Sequence, residues 1–174
     1  MTRLLDILDR ISRLTAILSV LLVFGIAVLI IAEVVSRWAF NHSLSFAWEY
    51  SAYFFAVAVF CGAAYTLRTG GHVRVALLRG LLGPRGQHWM EIFATLIGVG
   101  ITLFAANAMV AFAWRSFQRG SVSPTVDATP LAIPQGAIAF GLVLLALQMI
   151  ARLLRLFLNE PPEDEDALES FGAE

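Results

Sequence analysis

Residues 14–35 read LTAILSVLLVFGIAVLIIAEVV, twenty-two residues with no charge before Glu33. A helix of that length rises about 33 Å, enough to cross about 30 Å of hydrocarbon. Three further apolar runs of similar length follow, at residues 46–67, 92–114 and 131–151. Segments in lipid must satisfy their own backbone hydrogen bonds, which favours helices, and the alternating pattern of barrel strands is absent. The reading is an all-α integral membrane protein with four transmembrane helices within residues 1–159.

Composition agrees. Of 174 residues, 59% are hydrophobic and 14% charged, with a mean hydropathy of +0.77. Soluble domains run near 45–50% apolar and about 25% charged, so water is the wrong solvent for this chain. Trp38, Trp48, Trp89 and Trp114 all fall at the ends of the expected spans, where indole sits at headgroup depth. The single Cys61 excludes an internal disulfide framework.

Charge sets an orientation. All twelve basic residues are Arg, and nine of them lie in the N-terminal segment, the connection after span two and the residues after span four. Only Arg37, Arg115 and Arg119 fall in the two opposite connections. The positive-inside rule then places both termini in the cytoplasm. A cleaved signal peptide is disfavoured, because the first apolar run exceeds the usual h-region and no small-x-small site follows it. The basic residues form no stripe on a polar domain, so no nucleic-acid binding is expected.

Outside the spans, residues 3–14 carry Leu4, Ile7, Leu8, Ile11 and Leu14 on one face and Asp6, Asp9, Arg10 and Arg13 on the other. That pattern predicts a short amphipathic helix on the inner membrane surface, in contact with lipid. Residues 72–90 mix His72, Arg74 and Arg79 with six aliphatic residues and are expected to hug the membrane with snorkelling Arg. Seven of thirteen acids crowd into residues 160–174, which read as a disordered acidic tail.

Chemistry is sparse. No phosphate-binding loop or Ser–His–acid arrangement is present, and His42, His72 and His88 are scattered among span ends, so no catalytic site, metal site or cofactor is expected. The informative charges lie near the outer ends of spans one and two. Glu33 and Arg37 share a helix face at (i, i+4), and Glu49 follows Trp48. A structural pair explains these better than a substrate site, because they make no continuous polar path. Asn107 and Gln148 are amides at span depth and candidate helix or subunit contacts. Broken helices or convergent midplane polar groups, the usual marks of a transport path, are missing.

The stretch from Glu33-Val-Val-Ser-Arg37 through Ser45-Phe-Ala-Trp48-Glu49 and Gly62-Ala-Ala to Arg68-Thr-Gly-Gly-His72-Val-Arg-Val75 resembles the small membrane subunit of TRAP (tripartite ATP-independent periplasmic) transporters, the DctQ-like family. Ser123-Pro-Thr and Ile133-Pro134-Gln-Gly136 resemble it more weakly, and the likeness covers about residues 5–157. Where the family often carries further acids, this chain has Tyr50 and Ala76.

The resemblance implies a scaffold subunit paired with a large permease that carries the sodium and substrate sites. A periplasmic binding protein would deliver an organic acid, and Arg115 and Arg119 would be candidates for docking it. The alternative is an autonomous small oligomeric carrier or channel, for which span two, with Glu49, Ser51, Tyr53 and Thr66, would have to line the pore. A haem-anchoring subunit would need a mid-span His, and none is placed there.

Overall fold

The computed structural model describes residues 2–70, 83–125 and 127–158. The described residues form four long helices: α1 (Thr2–Phe40), α2 (Ser45–Arg68), α3 (Pro84–Arg119) and α4 (Ala132–Phe157). All four are long and apolar enough to cross a membrane. The protein is a multi-pass membrane protein.

The helix ends follow local chemistry. Asn41, in the left-handed region at φ 50°, stops α1, a conformation Asn tolerates better than most residues. Gly83 precedes α3, and Pro84 occupies its first turn, where a missing N–H costs little. At the far end Gly120, at φ 60°, turns the chain back, and the Ser121 N–H reaches the Ser116 carbonyl at 3.0 Å. Between α3 and α4 the connection folds on itself through an isolated antiparallel bridge of Val122 to Pro130. Pro134 sits in the first turn of α4.

The helices pack side by side in the order α1, α2, α4, α3, so α1 and α3 lie at the edges and the first half of α1 also touches α4. A row of this kind buries little. Only α4, in the interior of the row, has a substantial share of its apolar length covered. In lipid, association depends on close packing rather than on apolar burial, and small residues provide it. A Cβ on Gly141 of α4 would fall 2.7 Å from the Phe60 carbonyl carbon of α2, so glycine is what lets these two backbones meet. Ser12, Thr15 and Ser19 return their hydroxyls to carbonyls of their own helix at 2.9–3.0 Å, which makes a small, satisfied face on α1.

One expectation is overturned. Residues 3–14 are no separate surface helix; they are the first turns of one continuous 39-residue helix. No Gly or Pro interrupts the chain before Gly25, and Asp9 and Ser12, read as part of a wet segment, are held by α4. Likewise Pro84–Met90 forms the start of α3 rather than a surface segment. The rest of the expected membrane-hugging stretch, with His72, Arg74 and Arg79, and the acidic tail lie outside the described residues.

Candidate functional site

Two polar clusters stand at opposite ends of the row. The terminal end holds the start of α1 and the ends of α2 and α4. There Asp9 gathers three donors: Arg68 Nε at 3.1 Å, Arg155 Nη2 at 3.0 Å and Gln148 Nε2 at 3.0 Å. Gln148, 1% exposed, also donates to Ser12 Oγ at 2.9 Å. One carboxylate thus ties three helices and faces two guanidinium groups, and a buried Nη1 on each of Arg68 and Arg155 makes no hydrogen bond. The geometry suits a structural clamp near the interface: charged hydrogen bonds of this kind are strong once formed and costly to leave half made.

The loop end holds residues 41–44 and 120–131. Glu33 pairs with Arg37 on the same helix, accepts from Ser43 Oγ at 2.8 Å and accepts from the backbone N–H of Leu44. Its charge therefore sits at the start of α2, where the helix dipole favours an anion, and pins the α1–α2 turn. Glu49 is handled differently. It is 7% exposed, accepts from Tyr53 OH at 2.6 Å and from the Thr125 hydroxyl, and pairs with no cation among the described residues. Thr125 in turn lies 3.0 Å from Ser123 Oγ, so the carboxylate fastens the α3–α4 connection onto α2. Tyr50 stacks edge-on with Phe46, Tyr53 and Phe54 at 6.2–6.4 Å between ring centres.

The remaining sequence candidates separate. Trp48 is 86% exposed and lines an apolar groove of about 520 Å³ between α1 and α2, with Glu33 and Arg37 at its polar end. Arg115 and Arg119 are exposed and border a hollow of about 330 Å³ with Phe112 and Gln135. Asn107 points out of the row, exposed. His72 lies outside the described residues. Among the described residues no group of three His, Cys, Asp or Glu side chains converges as a metal site would.

Between the clusters two threonines serve their own helices. The Thr102 hydroxyl donates to the Gly98 carbonyl at 2.8 Å and the Thr66 hydroxyl to Gly62 at 3.1 Å. The described residues therefore offer two ends stitched by charge and a middle packed on small residues. Residues 26–159 of this chain match the DctQ component of the tripartite ATP-independent periplasmic transporters. The chain belongs to that family.

Relatives of the DctQ-family chain are named as TRAP transporter small permease proteins. It is 25% identical over 80% of its length, and 72% of the relative's, to the ectoine TRAP transporter small permease protein TeaB of Halomonas elongata. It is 26% identical over 83% of its length, and 85% of the relative's, to a protein named as a TRAP transporter small permease in Haemophilus influenzae. The family match begins at Ile26 and leaves out the first half of α1. Asp9, the centre of the terminal clamp, therefore lies outside the matched residues, and reading residues 3–14 as a wet surface helix hides it. Its signal in the sequence is the spacing Asp9, Ser12, Thr15 (or Ala16), Ser19, a narrow line of small and polar residues along one side of an apolar helix.

Proposed function

We propose that this chain is the small, static membrane subunit of a TRAP-type secondary transporter in a bacterial inner membrane. It supports a larger permease, which carries the sodium-coupled transport of an organic acid delivered by a periplasmic binding protein. The observation that carries this reading is the use of the charged groups. Asp9, Glu33 and Glu49 each fasten helices or connections of the chain itself, at two separated ends, with an apolar middle between them. A transport path asks for the opposite distribution, convergent polar groups at the midplane. Both termini face the cytoplasm in this reading, because most of the Arg residues outside the spans gather at the terminal end. Arg115 and Arg119 then face the periplasm, where they offer a docking point for an acidic binding protein.

Affinity capture of the tagged full-length chain from its native membrane in mild detergent, followed by mass spectrometry, tests the proposal. The expected result is one stoichiometric large permease. Recovery of the chain alone as a stable homo-oligomer would overturn it and favour an autonomous carrier.

A further inference from the structure

Away from the two clusters, α3 presents a face that no other described helix covers. Asn107 lies on it, exposed, and its side-chain amide makes no hydrogen bond to any described residue. It stands eight positions before Arg115, which is about 12 Å along the helix axis at 1.5 Å per residue. In the other direction no charge occurs until Glu91, so Asn107 lies well inside the hydrocarbon layer. A carboxamide turned toward acyl chains has donors and an acceptor that lipid cannot satisfy. Polar side chains at this depth face protein.

The glycines support the same surface. Gly98 and Gly141 are used inside the chain: a Cβ on Gly98 would lie 3.1 Å from Met149 Cε, and one on Gly141 would strike the α2 backbone. Gly100, seven positions before Asn107, and Gly136 on α4 have no atom within 4 Å of the Cβ position. Glycine within a helix costs stability unless a backbone must come close. Gly136 also lines a groove of about 370 Å³ between α3 and α4, together with Val110 and Trp114. Gly100, Asn107 and Trp114 repeat every seven residues, the spacing at which one helix keeps meeting another.

We propose that this face seats one transmembrane helix of the large permease, with Asn107 hydrogen-bonded across the contact and Gly100 and Gly136 admitting the partner backbone. The inference rests on the small-subunit reading above. Depth selects the occupant: a soluble binding protein cannot reach Asn107, whereas a membrane-embedded partner can. The designation of the relatives as small permeases within a tripartite system points to a larger, different chain rather than a second copy.

The test compares capture of the large permease by the tagged wild-type chain and by Asn107→Leu, Gly100→Leu and Val20→Phe, the last on the exposed face of α1. Gly100→Leu enters open space and improves helix propensity, so its detergent melting temperature stays at the wild-type value. The permease recovered per chain falls roughly tenfold for each α3 variant, the scale of a lost interhelical hydrogen bond with its packing. Asn107→Gln regains part of it, and Val20→Phe changes nothing. Full recovery by both α3 variants, with wild type still capturing the permease, would overturn the proposed face and leave the small-subunit reading standing. A wild-type chain that captures no permease would overturn both. A homodimer that Gly100→Leu dissociates while the permease is retained would assign the face to a second copy and overturn the proposal.

Discussion

The two ends of the row use acids in opposite ways. At the terminal end one carboxylate, Asp9, joins α1, α2 and α4 through residues 59 and 146 positions away in the chain. At the loop end two carboxylates fasten connections rather than join helices through cations: Glu33 holds the turn that follows its own helix, and Glu49 holds the α3–α4 connection with neutral hydroxyls. Where lipid removes the hydrophobic drive between helices, long-range order comes from a few charged hydrogen bonds and close glycine contacts. Short-range order comes from turn chemistry. The difference implies that the terminal end governs the stability of the row and the loop end governs the conformation of its connections.

The largest effect is therefore expected at Asp9. Asp9→Ala leaves Arg155, 5% exposed, with no acid among the described residues, and removes one of the two acceptors of Gln148. Breaking a buried pair from one side costs about 3–5 kcal/mol, and the wet end of the helix brings this toward the lower figure. The check is the melting temperature of the detergent-purified chain; an unchanged value would erase the contrast between the ends.

Glu49→Ala comes next. It frees the Tyr53 and Thr125 hydroxyls, so residues 120–131 should exchange amide hydrogen faster while α1 and α2 keep their protection. Faster exchange across the whole row would make Glu49 a second clamp rather than a local fastening.

At the α1–α2 turn the two partners should be unequal. Glu33→Ala loses Arg37, Ser43 and the Leu44 N–H, whereas Arg37→Ala loses the ion pair and a long 3.4 Å contact to Ser43, both at a side chain that is two-thirds exposed. A double-mutant cycle on thermal stability should show coupling smaller than the full Glu33→Ala effect. Equal single losses would mean that the ion pair, not the turn, is what Glu33 supplies. The smallest effect on stability belongs to Arg115→Gln with Arg119→Gln. That double variant should leave melting unchanged and weaken binding-protein association mainly at low salt; salt-independent binding would remove these arginines from the docking surface.

Much of this was legible in the sequence, and the reasons are unequal. The helices follow from runs of apolar residues at bilayer length, a signal that needs no knowledge of packing. Their order across the row does not, because helices exposed to lipid are apolar on every side and show no stripe that names a neighbour. Asp9 illustrates the cost: hydropathy placed it on a wet face, and only its distance to Arg68, Arg155 and Gln148 shows a clamp. Asn107 and Gln148 are alike in sequence, amides at span depth. The structure separates them, Gln148 at the centre of the chain's own network and Asn107 outside it. Glycines divide in the same way, since only coordinates tell Gly98 and Gly141 from Gly100 and Gly136.

The central claim is that this chain supports transport without forming the path. Uptake of a labelled organic acid into proteoliposomes, in the presence of the binding protein and a sodium gradient, tests it most directly. Vesicles holding this chain alone should show no uptake above protein-free vesicles, while vesicles holding it with the large permease captured from the same membrane should transport. Sodium-driven uptake by the chain alone would contradict the account.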